Sequence, residues 1–402
     1  MSKTILYANP TGGLSGAEIS LLLLLKGLDR TRFQPRLVVP DTGSFPARAE
    51  LLEVPTEIVP FHPFMLESHL ADSLRDAVRS LWDFSCLTPL LRRLKPDLIH
   101  INSYRIGIPF TRAARSLDIP TIWHIRDIPN SRLKQKLVGY ISRWPDKVIA
   151  ISQAVADALG IHGMPHVSVV YNGVELDLFS QLSNCQESTK LRSEFGLSEK
   201  TTILASIGQL IPLKGYDLLI RAFQSVAASF AAHLLIVGGP VTPIGSASQV
   251  DLEYPNHLKR LVADCGLTNQ VTFTGFRKDI PQILSAADLY VHAATSPEGF
   301  GRVLVEAMAA HKPVIAPGWG GSLDIIDPGV SGLFFRPGDE KDLARQLHFA
   351  LSHPALMSVM GQRGFEDAQR RFGSDQHIAH IQQIYDQLLV DRLRCKRFRD
   401  RH

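Results

Sequence analysis

The 402-residue sequence is poor in cysteine. Its four residues of that type, Cys86, Cys185, Cys265 and Cys395, are widely scattered, and none forms a CxxC pair. Neither a zinc site nor a disulfide framework is therefore expected, and a reducing, cytoplasmic setting is. No long apolar run is present. The stretch "ISLLLLL" (Ile19–Leu25) is short against the roughly twenty residues that a bilayer-spanning helix needs. The opening "MSKTILYANP" carries one lysine and then a strand-like run, unlike a signal peptide. The chain also lacks a GxxxxGK[ST] phosphate loop, an HExxH helix, a GxSxG elbow and a DxD pair. These absences exclude a P-loop nucleotidase, a zincin-type protease, an esterase with a nucleophile elbow, and metal clamping of a diphosphate by DxD. Positive charge is only slightly in excess, at +4, and no aromatic-studded basic stripe accompanies it. Nucleic acid is not an expected partner.

What is present is a rhythm of short β-rich runs separated by helical stretches. The first half carries "KTILYA", "RLVVP", "TEIVPF", "DLIHIN", "TIWHI", "KVIAIS" and "VSVVYN". The second carries "TTILASIG", "HLLIVGG", "VTFTGF", "DLYVHA", "PVIAPG" and "GLFFRP". Near-continuous apolar strands alternating with helices predict parallel sheets covered on both faces. Two such series predict an α/β protein of two Rossmann-like, doubly wound domains facing across a cleft. The turn signal in "YNGVELDLF" and the polar stretch Ser180–Lys190 place the join near residue 180. The expected domains are residues 1–180, 181–374, and a C-terminal helix with a basic tail, 375–402, that packs back on the first domain.

Ligands of open parallel sheets bind beyond the carboxyl ends of the strands, so polar groups after strands are the candidates. After the first strand, "NPTGGLSGAEISLLLL" places Gly12, Gly13 and Gly16 in a tight loop that feeds a helix able to receive an anion. The loop resembles a dinucleotide fingerprint with Thr11 in place of the first glycine, and Asp41 follows the second strand where a ribose-binding acid would sit. "WHIRD" puts His124, Arg126 and Asp127 at another strand end. In "SIGQLIPLKGYDLLIRAF", Lys214 stands before a helix, where an ammonium suits a diphosphate leaving group. In "TSPEGFGRVLVEAMAA", Glu298 belongs to a glycine-bearing loop and Glu306 to the early helix. Gly299 and Gly301 let backbone N–H groups approach a ligand. A carboxylate accepts two hydroxyl protons at once, which suits a vicinal diol such as ribose. The alternative is that Glu298 favours the helix electrostatically while Glu306 faces solvent.

These residues together resemble a known family. "PEGFGRVLVEAMA" looks like the E-x7-E motif of the family 4 retaining glycosyltransferases, which have the two-domain GT-B fold. "GGLSGAE", "WHIRD", "VIAISQAVAD", "YNGVELDLF", "GQLIPLKGYDLLI", "VTFTGFRKDIPQILSAADLYV" and "GVSGLFFRPGD" fall in the family's order along nearly the whole chain. The resemblance implies a UDP- or GDP-sugar as donor and sugar transfer to an acceptor hydroxyl with retention of configuration. The acceptor would be a carbohydrate, a lipid-linked molecule or a small molecule, and neither metal nor cofactor would be needed. Lys214 would hold the diphosphate, Glu306 the ribose hydroxyls and Glu298 the transferred sugar. Backbone at Phe300, Gly301, Arg302 and Val303 would line the sugar and phosphates, and Arg277 would meet the base through its backbone. His124 would contact the sugar or stabilise charge at the reaction centre. Gly13 would approach the phosphates or the acceptor.

One departure stands out. The family has arginine in G-R-x4-K-G, whereas this chain has Gln209. Glutamine brings no charge, so leaving-group stabilisation must lean on Lys214 and helix dipoles, with Arg302 the candidate for compensation. Gln209 also keeps open a non-catalytic nucleotide-sugar or glycan binder. The first glycine loop and Asp41 keep open a nicotinamide-dependent oxidoreductase, and an epimerase acting on nucleotide sugars would use the same fold. Two basic segments, "SRLKQKLVGYISRWPDK" and the tail "DRLRCKRFRDRH", are read either as solvated surface or as a weak peripheral contact with the inner face of a membrane.

Overall fold

The computed structural model describes residues 2–63, 83, 85–180, 185–240 and 249–399, with side chains described except at 185–188, 249–252 and beyond Arg392; most of the basic tail lies beyond that last point. The chain forms two compact units, Met1–Gly173 with Ser374–His402, and Val174–Gly373. The division falls at Gly173/Val174 rather than near residue 180. Val174 is held in the second unit by its N–H, which donates to the Phe372 carbonyl at 2.9 Å, and by a parallel bridge to Gly373. The short helix Asp177–Ser180 that follows packs on helices Ile280–Ala286 and Arg302–Ala309 of that unit. The helix Ser374–Arg399 belongs to the first unit.

In the first unit seven parallel strands run β1 (Lys3–Ala8), β2 (Phe33–Val39), β3 (Thr56–Ile58), β4 (Leu98–Ile101), β5 (Thr121–Ile125), β6 (Lys147–Ala150) and β7 (Val167–Val169), in the spatial order β3-β2-β1-β4-β5-β6-β7. The sequence of β5, "TIWHI", is buried at every position, as a strand covered on both faces requires. One face is covered by the helices Gly16–Gly27 and Ser374–Arg399, where Leu21, Leu24 and Leu25 meet Ile378, Ile381 and Tyr385 over Ile5, Tyr7 and Ile122. The helix Gly16–Gly27 starts at a capping box: the Ser15 N–H donates to Glu18 Oε2 at 2.9 Å, and the Ser15 hydroxyl accepts from the Ala17 N–H.

The second unit repeats the plan with six parallel strands, β8 (Thr202–Ile207), β9 (Ala232–Val237), β10 (Val271–Gly275), β11 (Leu289–Val291), β12 (Val314–Pro317) and β13 (Leu333–Phe335), ordered β10-β9-β8-β11-β12-β13. Its core gathers Leu204, Leu234 and Ile236 from the sheet with Leu219, Phe223, Leu343 and Leu347 from helices. Both orders reverse direction once, between β1 and β4 and between β8 and β11. At such a switch point adjacent loops leave in opposite directions and open a crevice at the strands' carboxyl ends. Every strand predicted above is present. No helix among the described residues is long and apolar enough to cross a membrane.

Candidate functional site

The loops leaving β8 and β11 frame the second unit's switch point. Gly208–Ile211 leads into a 3-10 turn, Pro212–Lys214, closed by Gly215 in the left-handed region at φ 68°. A Cβ on Gly215 would lie 2.0 Å from the Ala293 carbonyl oxygen, so glycine is required both for the turn and for the close approach. The two loops are then stitched together: the Thr295 N–H donates to the Leu213 carbonyl at 3.0 Å, and the Thr295 hydroxyl to the Pro212 carbonyl at 3.2 Å. This stitching carries Lys214 to Glu298, with Nζ 2.6 Å from Oε1. His292, the first residue past β11, places Nε2 3.4 Å from the same oxygen.

Both contacts fall on Glu298 Oε1. Burial pushes the carboxyl's pKa up, but the charges of His292 and Lys214 and their hydrogen bonds outweigh it and hold Glu298 well below the usual carboxylate range. The Glu298 carbonyl accepts from the Gly321 N–H at 2.8 Å, which fixes the backbone of the loop. Further along, the Phe300 side chain is buried and packs edge-on against Phe372, with ring centroids 5.6 Å apart.

Gly301, at φ 100°, is the N-cap of the helix Arg302–Ala309, and no side chain caps it. The Leu304 N–H donates to the Gly301 carbonyl at 2.9 Å, which leaves the amides of Arg302 and Val303 for another acceptor, the situation that favours an anion. Glu306 does not face solvent: it is 8% exposed and receives a 2.6 Å bond from Arg302 Nε. Its burial raises the carboxyl's pKa, and Arg302 offsets this only in part. Arg302 Nη1 is buried without a hydrogen-bond partner, so part of the guanidinium's donor capacity is unspent. Gln209 is exposed. Arg277 is occupied elsewhere: it pairs with Asp279 (Nη2 to Oδ2 2.7 Å) and with Glu194, which leaves its backbone as the part available to a ligand.

The first unit holds the other predicted residues. Among them, the glycine loop uses its own amides. The Gly12 N–H donates to the Asp41 carboxylate and the Gly13 N–H to Thr11 Oγ1 at 3.0 Å. One oxygen of the Asp41 carboxylate, Oδ1, therefore closes the loop onto the end of β2.

His124 lies within the layer between sheet and helices, with no exposed surface. Arg126 Nη2 donates to His124 Nδ1 at 3.3 Å, and because arginine only donates, the neutral imidazole must carry its proton on Nε2. His100 Nε2 bonds the same Nδ1 at 3.0 Å, and Tyr385 on the C-terminal helix lies 2.6 Å from His100 Nδ1. Burial, then the charge of Arg126, lowers the pKa of both imidazoles well below the ordinary histidine value. His124 Nε2 is buried and unpartnered.

Arg126 is the hub of this cluster. It donates from Nε to Asn102 at 2.6 Å and from Nη1 to Asn172 at 2.8 Å and Ser20 at 3.0 Å. Asn102 continues to Asn9 at 2.7 Å, and Asn9 to Glu18 at 3.1 Å, so one hydrogen-bonded chain joins the ends of β1, β4 and β5. The structure thus unites Lys214, Glu298, Arg302 and Glu306 at one switch point and keeps His124 and Gly13 in the other unit. Sequence reasoning missed His292, although it closes the "DLYVH" run, and gave Arg126 no role although it follows β5 directly. No group of three or more potential metal ligands occurs among the described residues.

Two parallel, doubly wound units with these switch-point loops define the GT-B class of glycosyltransferase fold. The solved Anabaena protein Alr3699/HepE in complex with UDP superposes with a TM-score of 0.81 at 26% identity, covering 96% of this chain and 100% of that one. It has also been solved in complex with UDP-glucose. The family description "Glycosyltransferase Family 4" matches residues 14–178 and "Glycosyl transferases group 1" matches residues 187–367. The chain belongs to the family 4 glycosyltransferases. The N-acetyl-alpha-D-glucosaminyl L-malate synthase of Bacillus anthracis is 28% identical over 249 residues, 61% of either chain. The D-inositol 3-phosphate glycosyltransferase of Mycobacterium sp. (strain JLS) is 32% identical over 218 residues, 53% of this chain and 46% of that one. The alignments with these two relatives span between about half and three-fifths of their lengths.

Proposed function

We propose that the protein transfers a sugar from a nucleoside-diphosphate sugar to an acceptor hydroxyl, with retention at the anomeric carbon, in glycan, polysaccharide or glycolipid synthesis. The observation that carries this reading is the convergence of Lys214, Glu298 and Glu306 on one switch point, beside a helix N-terminus that no side chain caps. The HepE complexes support a UDP-sugar over a GDP-sugar as donor.

In this reading Lys214 exchanges its bond to Glu298 for the departing diphosphate, whose other oxygens meet the amides of Arg302 and Val303. Glu306 accepts from the ribose hydroxyls. Glu298, with Oε1 already held, offers Oε2 to the hydroxyls of the transferred sugar. It acts by position and charge and is not a nucleophile. The nucleoside diphosphate leaves from the face on which the acceptor attacks, through an oxocarbenium-like transition state. The protein's contribution is orientation and stabilisation of the negative charge that develops on the phosphate. Arg302, with an unspent buried Nη1, supplies the cation that Gln209 does not. No metal ion or organic cofactor is assigned a part.

The experiment is a screen of UDP- and GDP-sugars for release of the nucleoside diphosphate, followed by proton NMR of the product's anomeric centre. Release from one donor with the configuration kept supports the reading; inversion contradicts the mechanism. The exposed amide of Gln209 favours one second reading, a binder that does not turn over. Tight donor binding without release, in the presence of a panel of acceptors, would select it.

A further inference from the structure

The helix Arg132–Ile141 of the first unit starts at a Ser131 cap and buries Val138 and Ile141 against its own unit. Its outer face is unusual. Leu133, Leu137 and Tyr140, at i, i+4 and i+7, are 79%, 39% and 62% exposed and form one stripe. The other large exposed apolar side chains described in this unit, Ile19, Leu51, Ile58 and Val390, lie singly on four different elements, as is ordinary for a protein surface.

Cations flank the stripe. Arg132, Lys136 and Arg143 are exposed, Lys134 is half-buried, and no acidic residue occurs from Ser131 to Pro145. The Arg143 guanidinium sits 5.7 Å from the Tyr140 ring centroid, which gives that end of the stripe a polar, cation-bearing tip over an aromatic body.

We propose that this face docks the protein on an anionic membrane surface. The leucines and the tyrosine would enter the headgroup boundary while Arg132, Lys136 and Arg143 meet lipid phosphates, the arrangement of an interfacial amphipathic helix. A second copy of this chain fits less well, because two such helices would bring like charges together with no carboxylate between them. Docking stands independently of the catalytic assignment. One consequence does rest on that assignment: an acceptor carried on a lipid would be met by the first unit at the bilayer.

The test is co-sedimentation of the full chain with phosphatidylcholine vesicles, with and without about a third phosphatidylglycerol. The wild type binds only the anionic vesicles and is released by high salt. The double variant Leu133→Asp/Leu137→Asp loses at least about tenfold in affinity, while Leu51→Asp, on an equally exposed leucine of another helix, binds as the wild type does. Lys136→Gln, a milder change, weakens binding about fivefold. Circular dichroism and nucleotide-sugar binding report whether each variant is folded. Binding that ignores phosphatidylglycerol, or that survives the double substitution, overturns the proposal. So does sedimentation velocity showing that the wild type self-associates and the double variant does not. Failure of the wild type to bind any nucleotide sugar would instead strike the transferase reading and leave the docking result as it stands.

Discussion

Lys214 Nζ lies 2.6 Å from Glu298 Oε1 across 84 residues of sequence, held there by the close approach of Gly215 to the loop after β11. The pair keeps a cation at the switch point without leaving it unpaired, and the helix N-terminus at Gly301 faces no competing cap. Under the proposed transferase reading, a diphosphate entering this site would find a lysine to recruit and amides to meet.

Removing the ammonium should therefore cost catalysis more than folding. Lys214→Ala is expected to lower kcat by about 10²–10³-fold, the cost of losing one charge-stabilising donor. Steady-state kinetics beside a thermal melt check this; a change in KM alone would assign Lys214 to ground-state binding.

The two glutamates should respond oppositely to neutralisation. Glu298 has its folded pKa depressed, so its ionisation stabilises the fold above the ordinary carboxylate pKa, and that contribution is lost as pH falls toward the folded value. Glu306 has its folded pKa raised, so its charged form is the costly one at neutral pH. Melts at neutral pH should show Glu298→Gln lowering Tm and Glu306→Gln leaving it level or higher, while both weaken donor binding. Equal losses of Tm would contradict the assignment.

Gly215→Ala should damage the second unit. The new Cβ meets the Ala293 carbonyl, and a non-glycine residue at positive φ costs of the order of 1–3 kcal/mol before any clash. A Tm at least about 2–4 °C lower is expected, together with loss of donor affinity because the Lys214 turn is displaced. Calorimetry of the variant, with and without UDP, measures both.

Arg302 and Gln209 should compensate for one another. Arg302→Ala is expected to lower kcat/KM, and Gln209→Arg to restore part of it in that background by returning a cation to the β8 loop. Additive effects in the double-mutant cycle would show that the two positions do not share the phosphate.

The first unit should be acid-labile. His100, His124 and His377 are all buried with lowered pKa values, His377 to about 4. Unfolded, each takes up a proton near pH 6.5, so stability falls as pH drops below that value, for His377 until about pH 4. Each can contribute up to about 1.4 kcal/mol per pH unit. Urea denaturation between pH 7 and 4 measures the slope, and His377→Asn should reduce it. A flat profile would contradict the buried, neutral assignment.

The strands were readable because burial on both faces leaves runs such as "TIWHI" and "HLLIV" almost wholly apolar. The E-x7-E residues were readable because carboxylates beside a glycine-bearing loop have little structural reason to be there. What the sequence hid is contact between distant segments. Nothing local to Lys214 announces Glu298 as its partner, and His292 looks like one more strand residue until β11 ends at Val291. Arg126 stands in "WHIRD" with nothing local to name its partners, yet four neutral side chains surround it: Asn102 at the end of β4, His124 of β5, Ser20 of the helix Gly16–Gly27, and Asn172 beyond β7. The join was misplaced by several residues because "YNG" and the polar run after it look like a linker. Instead, Val174 bridges to Gly373, a partner some two hundred residues away.

The central claim is a nucleotide-sugar site built on Lys214, Glu298 and Glu306. Its most direct test is calorimetric titration of UDP-glucose and related donors into the wild type, Lys214→Ala and Glu306→Gln. The account predicts saturable binding of at least one donor by the wild type and weaker binding by both folded variants. Undiminished binding in the variants, or no binding of any donor to folded wild type, would contradict it.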